Sequence, residues 1–155
     1  MKKRQASIKD VLDATFLRAK KIDSSEIELR ADFARHLCVL VSGFLDQTIK
    51  NYTAEYVAKR SNPAVTNYVV RSIKNLTNLK AEKLKQHVLS FDSGWQTKID
   101  ELIADERKDA IDSLVNLRHG IAHGQPDDVT LVRIEGYYKE IVKVVDGIRD
   151  IMQLE

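Results

Sequence analysis

One arginine and two histidines lie close together in residues 116–124, which read Asn-Leu-Arg-His-Gly-Ile-Ala-His-Gly. The planar guanidinium of Arg118 can hold two phosphate oxygens and stabilise the charge that grows on them in a transition state. A histidine such as His119 or His123 can take a proton from a ribose 2′-hydroxyl or give one to a leaving oxygen. These residue types therefore predict metal-independent phosphoryl chemistry on RNA.

Metal binding is the first alternative for the two histidines. His119 and His123 are four residues apart, so both lie on one face of a helix and could be a ligand pair. Zinc needs at least one further ligand, yet the single cysteine, Cys38, lies in the apolar run 37–41. Asp127 and Asp128 cannot be placed from the sequence. We therefore predict that no metal or other cofactor is required.

Two further alternatives concern the same segment. A nucleophilic role for Cys38 is disfavoured because an apolar helix disfavours its thiolate, and the sequence has no serine elbow and no glycine-rich phosphate loop. A purely structural role stays open, because arginine and histidine near the carboxyl end of a helix also stabilise the helix dipole and bond to free carbonyls.

Composition predicts an all-α fold. The chain has 155 residues, of which 43% are hydrophobic and 31% charged, and this balance is typical of one globular domain over residues 1–155. Glycine and proline total only eight (6 + 2), so the turns that a sheet requires are scarce. A lone cysteine favours the reducing cytoplasm, and the run 37–41 is far shorter than the ~20 residues of a membrane span.

Capping signals divide the chain into seven predicted helices. Ser7 begins the first, which ends near Ile22; Ser25, in a capping box with Glu28, begins a long central helix. Asn62 and Pro63 end that helix and begin the third. The fourth covers about 79–89 and the fifth about 95–103, while the sixth runs over about 105–123 and is stopped by Gly124 and Pro126. Thr130 caps the seventh.

A helical wheel divides the sixth helix into three strips. The core strip is Ala110, Leu114, Leu117 and Ile121; the polar strip is Asp112, Asn116, His119 and His123; the flank between them is Ile111, Val115, Arg118 and Ala122. A largely apolar flank beside a polar strip predicts a second contact surface, and hence a homodimer. Arg118 and His123 diverge by roughly 140° on an ideal helix. Side-chain reach, a distorted helix end at Gly120 or pairing with a second copy could bring them together.

A basic stretch precedes the sixth helix. Residues 71–87 carry five cations and one acid, a net charge of +4 with neutral histidine, whereas the whole chain is only +2. Lysine and arginine neutralise phosphates and release counterions, so we predict that Lys80, Lys83 and Lys85 contact RNA. A solvated helical face is the alternative explanation of this stretch.

The motif from Arg118 to His123 resembles the R-x4-6-H signature of HEPN (higher eukaryotes and prokaryotes nucleotide-binding) domains. Residues 79–103, with Leu84, Phe91 and Trp95, resemble more narrowly the RiboL-PSP branch found in defence-associated proteins. The resemblance covers about residues 26–152 and implies a bundle of six to seven helices. It also implies a long central helix and a motif near the end of the penultimate helix.

The resemblance carries functional expectations. It implies a homodimeric, metal-independent endoribonuclease in which Arg118 positions the scissile phosphate, His123 is acid or base, and the product is a 2′,3′-cyclic phosphate. His119 occupies a position that is polar in active members, where it could bind phosphate, share proton transfer or orient RNA. Asn116 and Asp112 are expected to support the two histidines. A toxin or defence role with an inhibitory antitoxin partner is implied, and a non-catalytic dimerisation or partner-binding module is the alternative.

Overall fold

Seven α-helices form the part of the chain that the structure describes. The computed structural model describes residues 7–125 and 129–155, and neither range contains a strand, so the all-α prediction is confirmed. The helices are α1 (Ile8–Lys20), α2 (Ile27–Ala58), α3 (Pro63–Ser72), α4 (Ala81–Leu89), α5 (Gln96–Leu102), α6 (Asp105–Ala122) and α7 (Leu131–Ile151). A 3-10 turn, Ser93–Trp95, precedes α5. The stop predicted at Pro126 lies outside the described residues.

Side-chain caps explain three of the helix starts. The side chains of Ser7, Asn62 and Thr130 each accept a hydrogen bond from the backbone N–H three residues later, at 3.1–3.2 Å. Such a cap satisfies one of the amides that the first turn of a helix leaves without a partner. The predicted starts of α1, α3 and α7 are therefore confirmed.

The start predicted for α2 is wrong in its detail. The hydroxyl and the backbone N–H of Ser25 both donate to the Asp23 carboxylate, each at 2.8 Å, so the capping box with Glu28 does not form. The Asp23 carboxylate is an acceptor two residues before Ser25, and the local turn that it forms competes with the cap. Glu26 occupies the N-cap position without a side-chain cap, and α2 begins at Ile27.

The central position of α2 follows from its apolar residues. Leu37, Cys38, Val41, Leu45 and Ile49 are all at most 1% exposed, and α2 packs against α1, α3, α6 and α7. Cys38 is thus a core residue, in line with its place in the apolar run 37–41. Across the described part of the chain no helix, α2 with its 32 residues included, is apolar over enough length to cross a membrane.

The outer helix α3 is largely exposed. None of its residues is buried, and Val65 and Tyr68 are 47% and 75% exposed. Its main packing partner is α2. One neighbour can cover only part of a helix surface, so α3 keeps an exposed face.

The flank of α6 corrects the basis of the predicted dimer. Leu114 and Leu117 of the core strip are buried as expected, but Ile111 and Val115 of the flank are buried as well, at 0% and 5% exposure. Ile111 packs in the core cluster, and Arg118 of the same flank contacts Ser42 and Asp46 of α2, so the chain's own helices cover this side of α6. Only Ala122 of the three apolar flank residues is exposed, so this flank is not a free apolar surface for a second copy.

Candidate active site

The carboxyl end of α6 is closed by a glycine motif. Gly124 has φ 66°, its N–H donates to the Ile121 carbonyl at 3.1 Å, and the Gln125 N–H donates to the Gly120 carbonyl at 2.9 Å. This pair of bonds is the Schellman arrangement, which favours glycine because the left-handed conformation strains other residues. The motif places His123 at the C-cap of α6, where it is exposed.

The two motif histidines lie side by side. The ring centroids of His119 and His123 are 4.4 Å apart, with an interplanar angle of 61°, and both residues are exposed. No group of three potential metal ligands occurs among residues 7–125 and 129–155, while Asp127 and Asp128 lie outside those ranges. The arrangement therefore offers two adjacent proton carriers at the surface.

Arg118 is turned towards α2 and the segment before α4. Its Nη1 donates to the Asn78 Oδ1 at 3.0 Å and makes longer contacts with the Asp46 Oδ2 (3.4 Å) and the Ser42 Oγ (3.5 Å). The Arg118 side chain is 29% exposed and that of Asp46 only 8%. In the described part of the chain neither Nη2 nor Nε of Arg118 has a hydrogen-bond partner, so most of its donors are available to a ligand.

The electrostatics of Asp46 explain why Arg118 is held there. Burial raises the pKa of Asp46, because a desolvated carboxylate is disfavoured, while Arg118 and the backbone N–H groups of Asn78 and Leu79 act in the opposite direction. The buried carboxylate thus depends on the guanidinium and on these amides. The contacts tie α2, α6 and the segment before α4 together.

A small cleft connects the motif residues. It has a volume of about 270 Å³ and is lined by Asn78, Lys80, Val115, Asn116 and His119, which we call the motif cleft. Asn78 joins the motif cleft to Arg118 through their hydrogen bond, and the ring contact of His119 joins it to His123. Neither Arg118 nor His123 is among the lining residues that the structure describes, so the two reach the cleft only through these neighbours.

Sequence reasoning missed three of these residues. Ser42 and Asp46 are polar residues inside the most apolar part of α2, at 1% and 5% exposure, and a buried polar residue needs a partner. Asn78 has φ 54° in the segment between α3 and α4, a conformation that asparagine tolerates better than most residues. An acid in an apolar stretch and a lone asparagine between two helices are the signals that could have found them.

The predicted supporting residues separate in the structure. Asn116 is exposed and lines the motif cleft, beside His119. Asp112 is half-buried, and its Oδ1 accepts the backbone N–H of Ala81 at 2.9 Å, at the first turn of α4. No hydrogen bond of the described residues joins Asp112 to either imidazole, so its contact with α4 is the interaction the structure assigns to it.

The three predicted RNA-binding lysines have different surroundings in the structure. Lys80 lines the motif cleft. The Lys83 ammonium donates to the Thr77 carbonyl at 2.8 Å. Lys85 has a side chain only 15% exposed, and its ammonium lies 3.4 Å from the Asp100 carboxylate of α5. Of the three, Lys80 alone is brought to the motif residues.

Comparison with known proteins identifies the family. The model of the RiboL-PSP-HEPN family matches residues 4–153, nearly the whole chain. No curated protein and no solved structure matches significantly. HEPN domains are nuclease or nucleotide-binding modules and are often ribonucleases. The long central α2, the motif at the end of the penultimate helix and the extent of the match agree, and the chain belongs to the RiboL-PSP-HEPN family.

Proposed function

We propose that the protein is a metal-independent endoribonuclease whose reaction takes place at the motif cleft. The observation that carries the proposal is the position of this cleft between the hydrogen bond from Arg118 to Asn78 and the edge-to-face ring contact of His119 with His123. A phosphodiester in the cleft would lie beside His119, and Arg118 and His123 of a second copy would complete the site. A cation and an acid–base pair are the groups that RNA cleavage requires.

The proposed step is a transesterification. The ribose 2′-oxygen forms a bond to phosphorus, the bond from phosphorus to the 5′-oxygen breaks, and a 2′,3′-cyclic phosphate and a 5′-hydroxyl result. His123 acts as acid or base; with His119 at 4.4 Å, one imidazole can accept the 2′-hydroxyl proton while the other protonates the 5′-oxygen. Asn116 contributes a polar group to the same cleft.

Arg118 stabilises the phosphate in this proposal. Its Nη1 is held by Asn78 and Asp46, which fixes the plane of the guanidinium. Because the side chain is already held in place, it loses little further conformational entropy when its Nη2 and Nε donors bind a ligand. These donors form a planar fork, which suits two phosphate oxygens. Asp46 is a positioning residue because it acts on Arg118 rather than on RNA.

A homodimer is part of the proposal. Arg118 and His123 diverge on α6 and do not line the cleft together, so the motif of a second copy would complete each site. The exposed end of α6, with Ala122 and His123, is available for such a contact. Light scattering at high concentration should give twice the chain mass; only monomer would remove the composite site from the mechanism.

Cleavage of a labelled single-stranded RNA in EDTA tests the activity. We expect His123→Ala to slow cleavage about 10²–10⁴-fold, the usual contribution of an acid or base. His36→Ala is the matched control, because His36 is an exposed histidine on α2 outside the motif cleft, and its rate should equal that of the unmodified protein. RNA left intact by the unmodified protein under all conditions would contradict the proposal.

A non-catalytic interaction module is the second candidate. The contacts of Arg118 with Asp46 and Ser42 favour it, because they give the arginine a structural role that needs no substrate. Under this alternative Arg118→Ala would unfold the chain or abolish self-association, and the unmodified protein would leave RNA intact. Arg118→Lys separates the two candidate functions, because it keeps the charge near Asp46 but loses the planar fork. A structural role of Arg118 should survive this substitution, whereas phosphate binding by the fork should not.

The biological setting we propose is a toxin or defence effector acting in the cytoplasm, held in check by an inhibitory protein. A ribonuclease of broad specificity harms the cell that makes it, so an inhibitor would be required. Expression of the unmodified protein should arrest growth of a host cell, whereas the His123→Ala variant should not. Equal growth in both cases would argue against this setting.

A further inference from the structure

A second cleft, between α2 and α3, is strongly basic. It has a volume of about 350 Å³, and its polar lining residues are Gln47, Lys50, Asn51, Arg71 and Lys74; we call it the basic cleft. Three of these residues are cations, and no carboxylate is among the described residues that line it. A concave surface with three cations and no acid concentrates anions.

The cations of the basic cleft have no close ion-pair partner among the described residues, although Lys50 acts on the buried Asp46 carboxylate at longer range. None of Lys50, Arg71 and Lys74 takes part in the ion pairs found among residues 7–125 and 129–155. Lys50 donates to the Lys74 carbonyl at 2.9 Å, which positions its ammonium without removing its charge. Asp46, one turn earlier on α2, is buried and paired with Arg118.

The groove between α1 and α7 shows the opposite arrangement. It is larger, about 720 Å³, and also carries several lysines on its rim. There, however, Lys139 lies 3.4 Å from Glu135 and Lys143 lies 2.9 Å from Glu140. A neighbouring carboxylate offsets the positive potential of a lysine, so a paired lysine attracts a phosphate only weakly. The two clefts therefore differ in whether their lysines are paired, not in how many lysines they have.

The basic cleft is close to the motif cleft. Lys50 and Asp46 are four residues apart on α2, about 6 Å along the helix axis. Lys50 holds the segment before α4 at Lys74, and Arg118 holds the same segment at Asn78, which lines the motif cleft. A polyanion bound at the motif cleft could therefore continue into the basic cleft over this segment.

We propose that the basic cleft binds the phosphodiester backbone of the RNA strand that occupies the motif cleft. This inference rests on the proposed function for the identity of the polyanion. Lys50, Arg71 and Lys74 contact phosphates, and the Asn51 amide, which accepts from the Gln47 side chain at 3.0 Å, keeps its N–H donors for a phosphate oxygen. The contacts lie on the backbone and therefore bind RNA without reading its bases.

Binding of a 2′-O-methyl single-stranded oligoribonucleotide tests the inference, since this probe cannot be cleaved through its 2′-oxygen. Fluorescence anisotropy is measured over a range of salt concentrations. For the variant Arg71→Gln/Lys74→Gln we expect affinity to fall about tenfold at ~0.15 M salt and the slope of log K against log salt to fall by about 1.4. The charge-conserving variant Arg71→Lys/Lys74→Arg should keep the slope.

The matched control is Lys139→Gln/Lys143→Gln, which removes the same charge from α7, and its slope should equal that of the unmodified protein. Equal slopes for both Gln variants, or no binding by the unmodified protein, would overturn the basic cleft. Binding that depends on Arg71 and Lys74 without any RNA cleavage would uphold the cleft and contradict the nuclease proposal. RNA cleavage together with unchanged binding by the Arg71→Gln/Lys74→Gln variant would uphold the nuclease proposal and contradict the basic cleft.

Discussion

Asp46 and Arg118 form an ion pair between the central helix α2 and the motif helix α6, with 3.4 Å between Oδ2 and Nη1. The carboxylate is almost fully buried and the guanidinium is only partly covered, so the two partners depend on the pair unequally. Loss of the arginine leaves a buried acid without a counter-charge, whereas loss of the acid leaves an arginine that can reach water.

The first prediction uses this asymmetry. Arg118→Ala should lower the free energy of unfolding by about 1–3 kcal/mol, the cost of leaving a buried polar group without its partner. Asp46→Asn introduced into the same variant should recover part of that loss, because it removes the buried charge. Urea unfolding of the two single variants and the double variant measures the coupling. If the stability changes of the two single variants add up to that of the double variant, the ion pair does not contribute to stability in solution.

The second prediction concerns Asp112 and the start of α4. Asp112→Ala should lower the free energy of unfolding by about 1 kcal/mol, because the Ala81 N–H loses its acceptor. Asp112→Asn keeps an acceptor oxygen and should cost less, and it should cleave RNA at the unmodified rate if Asp112 serves α4 alone. A cleavage defect in Asp112→Asn with unchanged stability would instead favour the predicted support of the histidines.

The third prediction concerns pH and His87. Burial lowers the pKa of His87 below its ordinary 6.5, and its Nε2 lies 2.8 Å from the Thr53 hydroxyl oxygen. The unfolded chain then binds a proton more readily than the folded one, so this contribution to stability is complete above pH 6.5. It is lost as the pH falls from there through the lowered pKa of the folded state.

Melting temperatures of the unmodified protein and of His87→Gln measure this effect between about pH 7 and 5, a range that spans the ordinary pKa of histidine. The unmodified protein should lose more stability on acidification than the variant, because glutamine has no proton to bind. His36→Gln, at an exposed site, should behave like the unmodified protein. Parallel curves for all three proteins would contradict the prediction.

The fourth prediction compares two glycines with opposite roles. Gly124 has φ 66° at the end of α6, so Gly124→Ala should destabilise by about 1–2 kcal/mol, although its added Cβ would have no atom within 4 Å. Gly136 lies inside α7 and also has open space around an added Cβ. Gly136→Ala should stabilise by about 0.5–1 kcal/mol, and thermal unfolding of both variants tests the difference in sign.

Much of the fold could be predicted because its signals are local. The caps at Ser7, Asn62 and Thr130 each join residues three apart, and the end of α6 at Gly124 depends on bonds within one turn. Local rules also failed locally: at Ser25 an aspartate two residues earlier took both donors and displaced the expected cap. Composition, periodicity and the motif were enough for the all-α class and the family.

The arrangement around the motif was beyond the sequence by itself. The wheel showed that Ile111 and Val115 are apolar, but whether other helices of the same chain or a second copy cover them depends on how the helices pack. The same holds for Arg118, whose partners Asp46 and Asn78 are 72 and 40 residues away in the chain.

The sequence alone determined the helices and the residue types of the motif, because side-chain type, capping and helical period are properties of neighbouring residues. Tertiary structure decided which way Arg118 points, which lysines stay unpaired and which residues share the motif cleft. These are properties of contacts between distant segments, and periodicity carries no information about which segments meet.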